Sequence, residues 1–505
     1  MPIDPLSFML VDFAKTRVAQ VNLRDKRAKK TQSTALFYLV KRAQETRFGK
    51  AHFFEQIQDV KDFQKNVPIA HYIDLKKDIE DMMNGMPDIL WPDKVKYFAK
   101  SSATTSESKY IPVTRVALTK NHFKGGKDLI SFYLQNNPST HVLSSKIISL
   151  CGTLSTSQMN NSIRVGDISA IIVENLPLYV KLFKFPGPEL SLRDGWEEKI
   201  EEISTLAINQ NITCLAGAPI WVSILIKKVL EKSGKKSIFE VWPNLEVFMH
   251  GGISFKPYRK VFDELFKGGN VKYMESYNAS EGYFAIQDDL TKPNEMRLML
   301  DYGVFYEFIP LEKYQNKNYE ALTIDEVEIN KNYVIVITTN GGLWRYVIGD
   351  TVMFTSLSPY RIKITGRTKQ YMNLYDEELT VDNAEEAISY ASHVTDARIT
   401  DYTLAPTMPD KDGRGCHEWI IEFSKPPSDI KKFTEELDKK LQECNGDYFS
   451  RRVNDVVMSL PIVHVASTET FYNWMKSKDR LGGQFKVPRI SNSRENLESI
   501  LAFLK

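Results

Sequence analysis

Cysteine is scarce in this 505-residue chain: there are four, Cys151, Cys214, Cys416 and Cys444, and none forms a C-x-x-C pair. A disulfide framework is therefore not expected, and a reducing cytoplasm fits. The eight histidines make neither H-x-H nor H-E-x-x-H, so a zinc site has no support. No run reaches the roughly 18 apolar residues of a membrane span. The N-terminus mixes Asp4, Asp12, Lys15 and Arg17 with apolar residues and does not read as a signal peptide. Neither sign of charge is in excess: 66 Lys and Arg against 64 Asp and Glu leave a net +2, no footprint for nucleic acid. Internal repeats and low-complexity segments are missing too. What remains is an ordinary globular composition, 42% hydrophobic and 26% charged, on a chain too long for one core. At least two domains are expected.

One further absence is local. Ser101-Ser102-Ala103-Thr104-Thr105-Ser106-Glu107-Ser108-Lys109 is rich in hydroxyls yet holds no glycine. An extended run, Tyr110-Ile111-Pro112-Val113-Thr114, follows it where a Walker A loop needs a helix, so a nucleoside-triphosphatase P-loop is excluded. Around this segment the texture changes along the chain. Leu6, Met9, Leu10 and Phe13 recur at helical spacing, and residues 34–46 and 75–84 also pattern as helices. From about 94 strands and helices alternate. Strands are expected at 95–100, 147–150, 245–249 and 271–274, with helices at 196–209, 221–231 and 258–266. This rhythm implies a largely parallel or mixed sheet with ligands beyond the carboxyl ends of its strands. Residues 297–355 read mainly as β, a barrel-like or antiparallel part. The last 140 or so residues pattern as a small α+β domain, with strands at 398–405 and 417–423 and a helix at 430–443 spaced by Phe433, Leu437 and Leu441. The expected division is 1–366 and 367–505, with a hinge about 366–372.

Three segments carry chemistry. The hydroxyl loop and Lys109 offer donors for phosphate oxygens. In Glu275-Ser276-Tyr277-Asn278-Ala279-Ser280-Glu281-Gly282, the aromatic face of Tyr277 suits adenine and Glu281 suits Mg2+ bridging phosphates. In Trp344-Arg345-Tyr346-Val347-Ile348-Gly349-Asp350, a carboxylate after glycine suits ribose hydroxyls. Singly, each has an ordinary reading: a solvated turn, a strand end with a buried Tyr and a surface Glu, and a Gly-Asp turn. Their order and spacing point to an enzyme that activates a carboxylic acid as an acyl-adenylate.

In this combination the chain resembles the acyl acid amido synthetases of the Gretchen Hagen three (auxin-responsive) family, and looks like its bacterial branch. The resemblance runs from about 35 to 490. It includes Phe98-Ala99-Lys100-Ser101-Ser102, His250-Gly251-Gly252-Ile253-Ser254-Phe255 with Pro257-Tyr258, Tyr302-Gly303-Val304-Phe305-Tyr306-Glu307-Phe308, Ile364-Thr365-Gly366-Arg367-Thr368 and Gly483-Gln484-Phe485-Lys486-Val487-Pro488-Arg489. It implies an α/β adenylate-forming fold of the acyl-CoA synthetase and luciferase kind. A large N-terminal domain would carry sheets, flanking helices and a barrel-like part, and a small α+β C-terminal domain would swivel between two half-reactions. ATP and Mg2+ are the implied cofactors, and a carboxylic acid and an amine, typically an amino acid, the partners. Ser101, Ser102, Thr104 and Thr105 would hold phosphates, with Tyr277 and Ser280 at the nucleotide and Glu281 on Mg2+. Asp350 would take the ribose, Arg367 would lie near the nucleotide, and Lys486 would reach the α-phosphate. Trp221, His250, Gly251 and Phe255 are the candidates for the acid pocket. A monomer is favoured, with neither membrane nor nucleic acid as partner.

The departure from the family pattern is Ala103, where glycine is usual, together with Ser106-Glu107. Two other readings share the same residues. One is an acyl- or aryl-CoA ligase with the same first step, and the other a homologue that binds acid or nucleotide without turnover.

Overall fold

The computed structural model describes residues 5–101, 109–252, 255, 258–368, 371–372, 374–375, 377, 379–408, 415–452, 458–478 and 487–504. The chain divides into two compact units. The first comprises Met1–Gly252, Gly268–Ile348 and Val352–Lys363; the second comprises Ile253–Lys267, Gly349–Thr351 and Ile364–Lys505. Among the described residues no helix is long and apolar enough to cross a membrane.

The main element is an eleven-stranded mixed sheet. Its parallel half runs Lys184–Phe185, Lys146–Ser149, Ile212–Gly217, Val247–Gly251 and Lys272–Ala279. Helices Trp196–Ala207 and Pro219–Ser233 fall between these strands in sequence, as alternating periodicity requires. After the parallel half the direction reverses. Lys272–Ala279 turns at Ser280 and Glu281 into Gly282–Ile286, and the two pair antiparallel. Beyond that hairpin the order is Met296–Leu298, Tyr360–Arg367, Tyr346–Leu357, Asn332–Thr339 and Val304–Pro310. The region expected to be barrel-like or antiparallel is thus the antiparallel end of the large sheet.

A four-stranded sheet holds the hydroxyl-rich segment. Tyr97–Ser101 and Lys109–Val113 pair antiparallel, with Ser101 opposite Lys109, so residues 102–108 join two arms of a hairpin. Tyr97–Ser101 also pairs parallel with Arg164–Gly166. The N-terminal helix, expected from apolar spacing, is Pro5–Asp25. Its Arg17 donates to the buried Asp128 at 2.6 Å and to Asp301 at 2.9 Å, and Tyr302 also bonds Asp128.

The second unit has its own core. Strands Arg398–Pro406, His417–Lys425 and Ile462–Ala466 form a sheet, against which helices Val381–Val394 and Ile430–Cys444 pack. Phe433, Leu437 and Leu441, the stripe read from the sequence, are all fully buried. Helix Arg259–Leu265, from the middle of the chain, also belongs to this unit, tied by Arg398 to Glu264 at 2.9 Å and by Lys260 to the Ser392 carbonyl at 2.8 Å.

Candidate active site

In the first unit the candidate residues gather on the hairpin where the sheet changes direction. The sequence places a strand at 271–274 with a loop after it; the strand instead continues to Ala279, because Tyr277 belongs to the hydrophobic core. Tyr277 is 5% exposed and meets Phe284 edge-on, ring centroids 5.1 Å apart. Ser280 and Glu281, both half-buried, form the turn itself. The neighbouring strand Val247–Gly251 pairs His250 with Glu275 and Gly251 with Ser276. His250 is buried. At Gly251 a Cβ would stand 2.4 Å from the Ser276 carbonyl oxygen, so only glycine lets these two strands approach.

Two residues that sequence reasoning missed grip this hairpin. The Asn121 Oδ1 accepts from the Tyr283 amide at 2.6 Å, and its Nδ2 donates to the Tyr283 carbonyl at 3.2 Å. The adjacent His122 bonds Asn278 Oδ1 through Nδ1 at 3.2 Å. Burial holds its pKa down to about 4, so the ring is neutral at pH 7. Both lie in a widened helical turn, Leu118–His122, that no local motif announces.

Trp221 lies near the start of helix Pro219–Ser233, after Gly217 at φ 149° and with Pro219 at the first helical turn. It is 2% exposed and closed by Trp196, whose ring is 4.6 Å away at 64°. Among the described residues no group of three or more His, Cys, Asp or Glu could hold a metal ion. A single half-buried carboxylate at Glu281 suits Mg2+, which keeps waters and phosphate oxygens as its other ligands.

In the second unit, Asp350 and Arg367, named separately from sequence, form one pair: Arg367 Nε donates to Asp350 Oδ1 at 2.8 Å. Gly349-Asp350 is not a turn. It lies inside the strand Tyr346–Leu357, where Gly349 has φ 92° and its carbonyl accepts from the Thr368 amide at 2.8 Å. Thr365 and Thr351 join the same two segments by their hydroxyls at 3.0 Å. Phe255, also of this unit, is buried against Phe262, ring centroids 5.5 Å apart. Ser102, Thr104, Thr105, Lys486 and the Ser101 side chain lie outside the described residues.

The basic residue of the third segment has another task. Arg345, at φ 40°, donates to both oxygens of the buried Glu307, each at 2.9 Å, and to the carbonyls of Gln64 and Val67. It fastens the segment around residue 67 to the sheet rather than facing a ligand.

The fold has solved counterparts. 2-Hydroxyisobutyryl-CoA ligase in the postadenylation state superimposes with TM-score 0.62 at 12% identity, covering 95% of this chain and 92% of that one. The GH3.15 acyl acid amido synthetase in complex with 2,4-DB gives 0.79 at 17% identity, covering 100% and 98%. The fold is that of the adenylate-forming ligases. Within that class, the GH3 family N-terminal domain matches residues 17–271, the central domain 297–367 and the C-terminal domain 382–495. The chain belongs to the GH3 family and is a ligase. The indole-3-acetic acid-amido synthetase GH3.4 of Arabidopsis thaliana is 23% identical over 537 residues, 91% of this chain and 88% of the relative.

Proposed function

We propose that this protein is an ATP-dependent acyl acid amido synthetase of the bacterial branch of its family, working in the cytoplasm as a monomer. A carboxylate oxygen attacks the α-phosphorus of ATP, the bond to pyrophosphate breaks, and acyl-AMP forms. The nitrogen of an amine, in our reading an amino acid, then attacks the acyl carbon, loses a proton and releases AMP. The observation that carries the reading is the turn of Ser280 and Glu281, which follows the parallel strand Lys272–Ala279 and opens its antiparallel pairing with Gly282–Ile286. The turn lies at the carboxyl end of the last parallel strand, and ligands of α/β sheets bind beyond the carboxyl ends of their strands.

Glu281 would hold Mg2+, which would supply charge neutralisation for the phosphates, and Ser101, Ser102, Thr104 and Thr105 would donate to those phosphates. Tyr277, with its ring packed on Phe284, fits a wall behind the adenine better than an open platform. Asp350, steadied by Arg367, accepts the ribose hydroxyls. Trp221, His250, Gly251 and Phe255 are assigned to the acid slot. Lys486 neutralises charge that develops between carboxylate and α-phosphate. It belongs to a C-terminal domain, 367–505, that swivels about 366–372.

The test is an acid panel in an ATP–pyrophosphate exchange assay, followed by product analysis by mass spectrometry with amino acids and with CoA. Exchange with at least one acid and amide products support the reading. Thioester products would replace it with an acyl-CoA ligase, the class that 2-hydroxyisobutyryl-CoA ligase is named for. ATP binding without exchange by any acid would leave a binding protein. Lys486→Ala is expected to slow adenylation roughly 100-fold or more and to leave amide formation from supplied acyl-AMP far less affected. Equal loss in both steps would count against the swivelling lysine.

A further inference from the structure

The tip of the hairpin that carries Ser280 and Glu281 stands beyond the strands on either side of it. On one side, among the described residues, Val247–Gly251 pairs with it as far as Gly251 opposite Ser276. On the other, Met296–Leu298 pairs as far as Leu298 opposite Ala285, and the Met299 amide then reaches the Phe284 carbonyl at 2.8 Å. Within the tip two rungs, Ala279 with Gly282 and Asn278 with Tyr283, close the two-residue turn. The register shifts between Tyr283 and Ala285, so the tip is also set off from the rungs below. A bulge lets a strand bend and twist, and a short two-stranded ribbon is marginal by itself.

Asn121 makes up for the missing neighbour. Its side-chain amide is a peptide group in miniature, with an acceptor and donors in one plane. The Oδ1 accepts from the Tyr283 amide at 2.6 Å and the Nδ2 donates to the Tyr283 carbonyl at 3.2 Å, so the ladder gains one rung past Met299. The Nδ2 also lies 3.4 Å from the Tyr302 carbonyl, and the residue is buried. His122 holds the opposite member of the same rung, Asn278. Helix Phe123–Asn136 continues from there and lies directly on the Tyr283 ring, where a Cβ at Gly125 would stand 2.4 Å from it. Two consecutive residues of one widened helical turn thus hold both sides of the rung next to the turn. Such widened turns recur at functional sites.

We propose that Asn121 is a positioning residue for metal binding: by completing the ladder at Tyr283 it fixes the turn that presents Glu281 to Mg2+. The proposal rests on the metal role given to Glu281 above. Mg2+ demands near-ideal octahedral ligands at about 2.0–2.1 Å, and a carboxylate on a loosened tip meets that demand less often. Adenine and ribose are assigned to Tyr277, which lies below the tip in the hydrophobic core, and to Asp350. A loosened tip is therefore felt by the metal and not by the nucleoside. Leucine at 121 keeps a similar volume and offers neither donor nor acceptor. Serine is too short to span both polar groups of Tyr283.

The experiment titrates Mn2+, a paramagnetic stand-in for Mg2+, into the full chain saturated with α,β-methylene ATP and reads binding by electron paramagnetic resonance. Asn121→Leu is expected to weaken Mn2+ about tenfold, the lower end of what an outer partner of a metal ligand is worth. The affinity for AMP, measured without metal, should change less than about twofold, since the nucleoside contacts are untouched. Asn121→Ser should behave alike and answers the question if Asn121→Leu does not fold. Parallel losses of Mn2+ and AMP would mean general structural damage and overturn the proposal. In a Glu281→Gln background Asn121→Leu should weaken Mn2+ by less than about twofold more, because both act through one carboxylate; a further tenfold loss there would also overturn it. Amide hydrogen exchange on the ligand-free protein supplies a second readout. Amides of residues 278–283 should exchange about tenfold faster in Asn121→Leu, as loss of a buried hydrogen bond implies, with 272–276 unchanged; unchanged exchange at the tip means that Asn121 does not hold it. If Glu281→Gln binds Mn2+ as tightly as wild type, the metal reading falls and this inference with it. A weakened Glu281→Gln beside an indifferent Asn121→Leu sinks this inference alone.

Discussion

Two guanidinium–carboxylate pairs arise from one stretch of strands, and they serve different ends. Arg345 and Glu307 are sealed, with side chains 6% and 1% exposed, and the Gln64 and Val67 carbonyls both accept from Nη1 of Arg345. Arg367 and Asp350 bond at 2.8 Å, but there the guanidinium is 48% exposed while the carboxylate is 9%. A saturated pair cannot serve a ligand without being broken, and breaking it leaves a buried charge uncompensated. A pair whose arginine is half-exposed keeps one side in solvent, where a ligand can approach it. Exposure of the arginine, more than the presence of the ion pair, separates a staple of the fold from a candidate for the site.

The largest effect that tests this contrast is on stability. Arg345→Met should cost about 3–5 kcal/mol, read as a lower urea midpoint with an unchanged slope. Arg367→Met should shift that midpoint hardly at all, because a half-exposed pair contributes about 1 kcal/mol or less. Equal destabilisation by both would remove the distinction.

The next effect concerns the grip on the hairpin. Burial lowers the pKa of His122 to about 4, below the roughly 6.5 of an unfolded histidine. The neutral ring is therefore favoured in the folded state. The stability this contributes is complete above about pH 6.5 and is lost as pH falls through about 4, because the unfolded chain binds the proton first. The loss should be on the order of 2–3 kcal/mol. His122→Gln, which stays neutral, should flatten this acid limb between pH 6.5 and 4. A variant whose urea midpoint falls with pH as steeply as the wild type's would show that His122 does not titrate in this range.

How much of this could be read from the chain itself follows from the range of the interactions. The Phe433, Leu437 and Leu441 stripe is local, and the helix Ile430–Cys444 forms where the spacing places it. The alternation before residue 280 likewise becomes the parallel half of the sheet. Gly349-Asp350 misleads as a turn signal, because a left-handed glycine can also bend a strand in place; only the pairing with residues around 367 distinguishes the two. The pairing of Asp350 with Arg367 spans 17 residues, and the hold of Asn121 on Tyr283 spans 162, so no window-based pattern registers either one. Tyr277 was legible both as a nucleotide candidate and, in the ordinary reading, as a buried tyrosine; its partner Phe284 across the turn was not.

A milder test asks whether Asp350 handles the nucleotide. Asp350→Asn keeps the size and one acceptor but removes the charge. It should raise KM for ATP about tenfold, the worth of one charge-assisted hydrogen bond, with the urea midpoint close to wild type. The same change at Glu307, Glu307→Gln, should instead lower the midpoint and leave KM for ATP alone in the protein that remains folded. A reversal of these two outcomes would mean that exposure has been misread as function.

The smallest expected effect belongs to the hydroxyl-rich loop, whose residues 102–108 lie outside those described. Its flanking strands pair up to Ser101 opposite Lys109, and the proposed reading gives the residues between them the phosphates. Glycine is the residue that allows left-handed backbone and close approach of amides to an anion, and this chain has alanine at 103. Where φ is positive, a Cβ costs about 1 kcal/mol. Ala103→Gly should then raise the rate of pyrophosphate exchange about fivefold, that energy converted to a rate, while the stability of the free protein changes little. An unchanged or lower rate would show that position 103 is not left-handed in the ATP-bound loop.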